Sequence, residues 1–257
     1  VSVSPREWMA LQATATSVGV VGIDGLSLSG SAMALAINQA DADGVVLDFS
    51  DSNALTVATC TSDSLDLTLD GAQGELMRAS GRLTLDVFEF AQFEGDVAFE
   101  QSTAQVRVTG ETTNTDVNLL TVGVNNASGF LGVNAGTADA VGLSATGVNL
   151  ALVVASDVAQ AARQWTALQA TVSTASFSGV DGLTLEASNL AVTINQPNAI
   201  DQKVIDWAAK TLTVATGTSD SVTLNMAGSA GDLLRVSATL AIDVFDFFQV
   251  SGSFALE

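Results

Sequence analysis

The segment LTVATCTSDS at residues 55–64 returns as LTVATGTSDS at residues 212–221. The likeness extends to both sides, because residues 6–100 and 163–257 align without a gap at an offset of 157 residues, with 42 of 95 positions identical. Repetition on this scale is typical of a tandem array. The sequence therefore divides into a first copy (residues 1–100, matched from residue 6), the remainder of the 157-residue unit (residues 101–162) and a second copy (residues 163–257). The gapless match predicts turns of equal length in the two copies.

Apolar and polar residues alternate along most of the chain, which is the period of a half-buried β-strand. Leu26 and Leu28, and then Leu35 and Ile37, show the pattern, and Gly, Asn, Asp and Ser cluster between such runs as they do in turns. The sequence thus predicts an all-β fold. Residues 156–164 carry Ala and Gln after a Ser and an Asp, and they leave a short helix open as an alternative.

A shorter period lies inside the long unit. Asp24-Gly25-Leu26 is followed 39 residues later by Asp63-Ser64-Leu65, and the second copy repeats this spacing. Four sub-units of this size would each have too few strands to bury an apolar face, so we expect each to stack on its neighbours. Elongated stacked β-repeats, as a β-solenoid or an extended sheet stack, are therefore favoured over the alternative of tandem β-sandwiches.

One run is apolar on both of its expected faces. Leu83, Leu85 and Val87 fall on one face of a strand, whereas Phe88 and Phe90 fall on the other. An apolar outer face has to be covered, either by another sheet of the same chain or by a neighbouring molecule. The partners we expect are therefore neighbouring repeats of the same chain or further copies through self-association.

The charge of the chain excludes several classes of partner. It has 28 acidic and 8 basic residues, a net charge of −20, and no His. Nucleic acid is not expected as a partner, because binding phosphates requires clustered cations. No apolar run reaches the roughly 18 residues of a membrane span, so we expect no membrane insertion. The low Lys content and the abundance of Thr, Ser, Asn and Asp favour an extracellular or bacterial cell-surface location.

This chain lacks the residues that most enzymatic mechanisms require. Without His, catalytic triads, Cys–His pairs and common zinc sites are excluded, and the single Cys60 is matched by Gly217 in the second copy. No phosphate-binding GxxxxGK[ST] loop is present. A hydrolase built on two carboxylates would need Asp24 and Asp181 to face each other in a cleft, whereas the acids are scattered among turns. We therefore expect no enzyme.

Calcium is the cofactor that fits the acidic turns, because hard cations take oxygen ligands from carboxylates and backbone carbonyls. The DADG loop that begins at Asp41 has a suitable pattern but is lost in the second copy, where Asn198 replaces that aspartate. The candidate metal ligands are the aspartates kept in both copies: Asp24, Asp63, Asp181 and Asp220. The alternative is that each accepts only backbone hydrogen bonds within its turn.

An Arg-x-Trp pair opens each copy, as Arg6 with Trp8 and Arg163 with Trp165. Such a pair fills the edge of a core with a salt-bridged rim, or it forms an exposed platform on which a sugar stacks.

The repeated DGLxL, LTVATxTSDS and DVFxF motifs stand in an acidic, Cys-poor and β-rich chain. In these features the whole chain resembles the tandem repeat regions of giant bacterial adhesins and matrix proteins. The GGxGxDxUx nonapeptide of calcium-binding RTX toxins is absent. The resemblance implies an extended rod or fibre outside the cell, often stiffened by calcium.

Two functions follow as hypotheses. The first is a structural or adhesive repeat module of a large extracellular bacterial protein, forming a rod or filament at the cell surface. The alternative is a β-groove that binds lipid or other hydrophobic cargo. A groove would leave a continuous apolar stripe open to solvent, whereas a rod would be closed. We also expect the chain to be a segment of a longer array. End repeats of stacked arrays normally carry a polar cap, and neither copy shows one.

Overall fold

The computed structural model describes residues 6–257, apart from the side chain of Asp51. The described part contains strands and three single-turn 3-10 helices, but no α-helix. The strands are β1 (Met9–Val20), β2 (Leu26–Gln39), β3 (Leu55–Ala58), β4 (Ser64–Leu67), β5 (Leu76–Val87), β6 (Ala91–Val106), β7 (Thr115–Val133), β8 (Val141–Asp157), β9 (Gln164–Ser178), β10 (Leu183–Gln196), β11 (Leu212–Ala215), β12 (Ser221–Leu224), β13 (Leu233–Val244) and β14 (Phe248–Leu256).

Ten of these strands form a single antiparallel sheet in the order β1-β2-β5-β6-β7-β8-β9-β10-β13-β14. The other four form two short hairpins, β3–β4 between β2 and β5, and β11–β12 between β10 and β13. The prediction of an all-β fold with an extended sheet is confirmed. Because sheet neighbours are antiparallel and one sheet runs through both copies, the architecture is neither a solenoid of coils nor a pair of separate sandwiches.

The element order repeats at the offset seen in the sequence. Strand β10 begins 157 residues after β2, and β11, β12 and β13 stand at the same offset from β3, β4 and β5. Six sheet strands, β1, β2 and β5 to β8, precede β9, which is the counterpart of β1. With about 4.8 Å between neighbouring strands, each unit advances the sheet by about 29 Å.

The loop before each short hairpin departs from the gapless alignment. Asn38 Nδ2 donates to the carbonyl oxygen of Leu47 at 2.8 Å, whereas Asn195 Nδ2 donates to that of Ile205 at 2.9 Å, an offset of 158 between the two acceptors. The second copy therefore gains one residue in this loop and loses it again before Leu212. The prediction of equal turns is wrong at this point, and the compensated shift leaves the strands in register.

The 39-residue period does not correspond to equal sub-units. Asp24 lies in the turn between the long strands β1 and β2, whereas Asp63 lies at the tip of the short β3–β4 hairpin. The unit consists of six sheet strands with one inserted hairpin. The prediction of four equivalent sub-units is wrong, because a shared Asp-x-Leu motif marks the end of a turn regardless of the element that follows it.

Two local predictions are also corrected. Strand β5 ends at Val87, and Phe88 and Phe90 belong to the tight turn before β6, where Phe88 has a φ of 52° and is 68% exposed. These rings therefore do not form a second apolar strand face. Residues 156–164 form no α-helix, because they span the end of β8, a turn and the start of β9.

The buried core lies between one face of the sheet and the second insert. Strands β6 to β9 supply the floor, and the loop and hairpin of residues 205–226 supply the cover. The core side chains are Val106, Val108, Val117, Leu119, Ala151, Val153, Ala155, Trp165, Ala167, Ile205, Trp207, Val214, Leu224 and Met226.

The molecule is extended for its mass. It exposes 14637 Å² for 26.1 kDa, whereas a compact monomer of that mass would expose about 10,600 Å². The excess arises because a single sheet layer with two small inserts leaves much of its area uncovered.

Candidate functional site

The second insert packs on strands that belong to the preceding unit. The β11–β12 hairpin crosses β7 and β8 and reaches β6. Val214 of β11 is 1% exposed and Leu224 of β12 is fully buried. The approach is close enough that a Cβ on Gly123 of β7 would overlap the carbonyl oxygen of Ala215. The hairpin therefore fits a floor that needs glycine at this position.

Trp165 and Arg163 form the edge of this packed region. Trp165 is 2% exposed, and its Nε1 donates to the carbonyl oxygen of Lys203 at 2.9 Å. The Arg163 guanidinium carbon lies 5.1 Å from the centre of the indole, within the range of a cation–π contact. Of the two interpretations of the Arg-x-Trp pair, this copy shows the core plug with a charged rim.

Three carboxylates hold Arg163. Its Nη2 lies 2.5 Å from Glu111 and 3.4 Å from Asp201, and its Nη1 lies 2.9 Å from Asp157. Glu111 and Asp157 belong to residues 101–162, whereas Asp201 belongs to the second copy. The guanidinium therefore joins the second copy to the segment that precedes it.

The protonation states follow from this pairing. Burial alone would raise the pKa of Glu111, but the hydrogen bonds from Thr115 and Arg163 hold that pKa below its usual value. Burial likewise works against the charge of Arg163, yet Glu111 keeps the pKa of the guanidinium above its ordinary value. Burial would also raise the pKa of Asp201, and hydrogen bonds from Asn198 and Lys203 lower it. All three groups are therefore charged at neutral pH.

The corresponding region of the first copy is exposed. Trp8 donates to the carbonyl oxygen of Val45 at 2.9 Å, but 37% of the residue is exposed. Arg6 lies 5.6 Å from this ring and pairs with Asp41 and Asp43, at 2.8 and 3.3 Å. The same local arrangement therefore forms in both copies, but only the second one is covered.

The β3–β4 hairpin extends past the edge strand β1. The sheet strand it contacts is β1, where Thr68, just after β4, donates its backbone N–H to Gln12 Oε1 at 3.1 Å. Leu55 and Val57 of this hairpin are 48% and 41% exposed. The first hairpin thus exposes Val57, whose counterpart Val214 is buried, whereas Leu67 is buried at 8% like its counterpart Leu224.

A second candidate surface is the opposite face of the sheet. One row of directly paired residues crosses nine strands and is apolar throughout, and none of its members is buried. The row consists of Ala13, Leu35, Ala79, Phe99, Val122, Leu152, Leu168, Ile194 and Leu234. Eight spacings of about 4.8 Å make this row about 38 Å long.

A neighbouring row widens the surface. It contains Val97, Val124, Leu150, Ala170, Val192, Val236 and Leu256. Phe99 and Leu234 of the first row are 49% and 53% exposed, and a contiguous exposed apolar patch, unlike a single exposed side chain, is informative about binding. Val97 is buried at 6%, whereas no other member of either row is. The two rows together form a largely open apolar surface, which we call the open apolar face.

The four aspartates predicted as metal ligands lie in turns. Asp24 and Asp181 occupy the β1–β2 and β9–β10 turns, about 29 Å apart along the sheet by strand spacing. Asp63 and Asp220 lie at the tips of the two short hairpins, and Asp63 accepts a hydrogen bond from Cys60 Sγ at 3.1 Å. The structure therefore does not bring Asp24 and Asp181 to one cleft, and each hairpin aspartate stands apart from the turn aspartate of its copy.

Within residues 6–257, no group of three or more His, Cys, Asp or Glu side chains is arranged to hold a metal ion. Calcium ligation by the four aspartates stays a prediction, with any further oxygen ligands to come from backbone carbonyls. Among the described residues, none of the helical segments has the length and the apolar character needed to cross a bilayer.

Sequence reasoning missed the two features that define the surfaces. Glu111 and Asp157 are separated by 46 residues and have no counterpart in either copy, so no repeated motif points to their pairing with Arg163. The open apolar face did have a signal, because β7 and β8 carry apolar residues at consecutive positions, as at Leu119 and Leu120 and at Leu152 and Val153. Such a run shows that both faces of a strand are apolar, but not whether another element covers them.

Comparisons with protein-family models, with curated proteins and with solved structures found no match to this chain.

Proposed function

We propose that this chain is a structural repeat module of a large extracellular bacterial protein, in which successive units build one continuous sheet into a rod or filament at the cell surface. The observation that carries the proposal is the packing of the second insert on β6, β7 and β8 of the preceding unit. A unit that buries its core against its neighbour is stabilised by tandem stacking. Adhesion or a surface layer is then the task of the assembled rod.

The net charge of −20 fits this proposal, because mutual repulsion keeps long rods dispersed in spite of exposed apolar side chains. Calcium at the turn aspartates would stiffen such a rod by bridging carboxylates that otherwise repel each other. Nucleic acid and membrane insertion have no place in the proposal.

Solution scattering on chains of increasing length tests the proposal. Adding one 157-residue unit should lengthen the particle by about 29 Å at constant cross-section, since each unit adds six sheet strands. Electron microscopy of native material should show rods, and antibodies should label them on intact cells. Globular units joined by flexible tethers, or label confined to permeabilised cells, would contradict the proposal.

The open apolar face supports a second candidate function, the binding of lipid or other hydrophobic cargo along the sheet. Its continuous row of apolar side chains is the feature expected of a cargo surface rather than of a closed rod. Replacing Phe99 and Leu234 with Lys should weaken the binding of a fluorescent fatty acid at least tenfold, at about 1.4 kcal/mol per factor of ten.

The matched control for this experiment is Phe247→Lys. Phe247 is 93% exposed but lies in the turn between β13 and β14, away from the row. The control should leave fatty-acid binding unchanged. Equal losses in both variants, or no binding by the parent chain, would rule out cargo binding at this face.

A further inference from the structure

Two short strands have the same sequence and opposite environments. Strand β3 and strand β11 both read LTVA, and each pairs with its partner strand in the same register. Val214 is 1% exposed, whereas its counterpart Val57 is 41% exposed. The difference lies in what stands beneath: β11 covers β6 to β8, and β3 projects past β1 with no sheet strand below it in the described chain.

We propose that the β3–β4 hairpin, together with the neighbouring pair Arg6 and Trp8, is a docking surface for the β6–β8 face of a further repeat unit that precedes this one in the array. The proposal rests on the proposed function, because it names the partner that a stacked array supplies. The interface it invokes is the one already present between β11–β12 and β6–β8, shifted by one unit.

The chemistry of the partner follows from that interface. It has to offer a glycine where the carbonyl oxygen of Ala58 arrives, as Gly123 does beneath Ala215. Around this glycine it has to present small and β-branched side chains, as β8 does at Ala151 and Val153. A flat face of this kind accepts the backbone of a hairpin at close range.

The charges at the edge repeat those of the second copy only in part. Arg163 is 11% exposed at its side chain and is held by Glu111 and Asp157 of the preceding segment. Among the described residues, the acidic partners of Arg6 belong to its own copy, Asp41 and Asp43, and Arg6 is 48% exposed. A docked unit would add a glutamate and an aspartate, so four carboxylates would meet Arg6, whereas three carboxylates meet Arg163 and Lys203 together.

The β3–β4 hairpin has low stability when no sheet face lies beneath it. A two-stranded hairpin is marginally stable in water, and its apolar residues add to that cost when they stay exposed. A second copy of this chain could supply a β6–β8 face only by giving up its own β11–β12 hairpin, which already occupies that face. A preceding unit has no such conflict, and it is the occupant we infer.

A lengthened chain tests the inference. Residues 91–162 are placed directly before Arg6, replacing residues 1–5, so that the junction reproduces the native step from residue 162 to residue 163. Cys60 is the single cysteine of the parent and is exposed at the tip of the β3–β4 hairpin. Its counterpart Gly217 is buried, with the position of its Cβ 3.2 Å from Asp96 Cβ.

Docking should therefore slow the reaction of Cys60 with a thiol reagent by at least about tenfold in the lengthened chain. The matched control carries Val in the added segment at the position copied from Gly123, which should restore the parent rate. Val57→Asp supplies an independent readout: it should leave the melting midpoint of the parent unchanged and lower that of the lengthened chain by about 5 °C.

The outcomes separate this inference from the proposed function. A lengthened particle in which Cys60 still reacts at the parent rate would overturn the docking surface and leave the continuous sheet standing. A particle that does not lengthen by the three added strands would count against the rod itself, and an unchanged Cys60 rate would then overturn the docking as well. If Cys60 of the parent chain reacted more slowly with the thiol reagent as the protein concentration rose, a second copy would be the occupant and the proposal would be overturned.

Discussion

Trp8 and Trp165 show how one residue type serves two environments at equivalent positions. Each indole donates to a loop carbonyl and lies against an arginine two residues earlier. Only Trp165 is buried, because it packs in the core between strands of the preceding segment and the second insert. The local motif therefore forms without burial, and its contribution to stability depends on what the neighbouring unit supplies.

The two arginines make this difference measurable. Arg163→Ala should lower the free energy of unfolding by about 3–5 kcal/mol, because it leaves Glu111 and Asp157 without their buried partner. Arg6→Ala should cost less, about 1–2 kcal/mol, because Arg6 and Asp43 are exposed, although the buried carboxylate of Asp41 loses its cation. Urea unfolding of both variants checks the prediction, and equal losses would show that the coverage of Arg163 is irrelevant to stability.

Acid should weaken the Arg163 cluster. The pKa of Glu111 is lowered from 4.5 and that of Asp201 from 3.8, so both carboxylates bind protons more weakly in the folded than in the unfolded chain. Their stabilisation is therefore fully present above pH 4.5 and is lost as the pH falls through the lower folded values.

Thermal unfolding between pH 7 and pH 2.5 measures this loss. The comparison is Glu111→Gln, in which the glutamate no longer titrates. The difference in midpoint between the two chains should be constant above pH 5 and should shrink in acid. A difference that is independent of pH would show that Glu111 does not contribute through its charge.

Among the elements, the long strands and the short hairpins obey different rules. The eight inner strands of the sheet are fixed by hydrogen bonds to two neighbours each. For example, β7 pairs with both β6 and β8 over most of its 19 residues. Each short hairpin consists of two four-residue strands that, in the described part of the chain, pair with one another and not with the large sheet. Their position on the sheet is therefore set by side-chain packing and by the space beneath them.

Gly123 tests that dependence. Gly123→Val should displace the β11–β12 hairpin, because any Cβ at this position overlaps the backbone of Ala215. We expect a loss of about 3 kcal/mol in the free energy of unfolding, comparable to overpacking in a core. Amide exchange should accelerate throughout residues 212–224.

The matched control is Gly129→Val on the same strand. A Cβ on Gly129 would meet the carbonyl oxygen of Gln92 at 3.2 Å, and no insert covers it there. This variant should leave exchange in the β11–β12 hairpin unchanged. If both variants released the hairpin, general destabilisation of β7 would be the cause.

At the scale of the whole molecule, charge and exposed area dominate. A net charge of −20 on an open sheet makes self-repulsion a continuous destabilising force, which salt screens over about 8 Å at physiological ionic strength. Raising sodium chloride should therefore raise the melting midpoint.

The effect of calcium on stability has to be separated from this general screening of charge. At equal ionic strength, calcium should raise the midpoint more than magnesium or sodium, and a chelator should abolish the difference. The double variant Asp24→Asn, Asp181→Asn should lose the part of the increase in melting midpoint that is specific to calcium. If calcium and sodium gave the same midpoint, the four aspartates would be turn residues only.

Much of the architecture could be predicted from the chain. The alternation of apolar and polar residues predicted the β-strands, and the offset of 157 residues predicted which strands of the two copies correspond. Both predictions depend on periodicity that can be read along the chain. The tight turn at Phe88 could not be predicted, since its apolar residues continue the pattern of β5 into a backbone of positive φ. The candidate surfaces were also beyond the sequence, because they depend on contacts between residues far apart in the chain.

The sequence by itself determined that the chain is β throughout, that its elements recur, and that LTVA forms a strand at both of its occurrences. Only the tertiary structure decided that Val214 is buried and Val57 is exposed. The physical reason is that strand formation depends on the residues of the hairpin, whereas burial depends on the strands beneath it. Those strands come from the preceding unit, so identical residues acquire different roles from their position in the array.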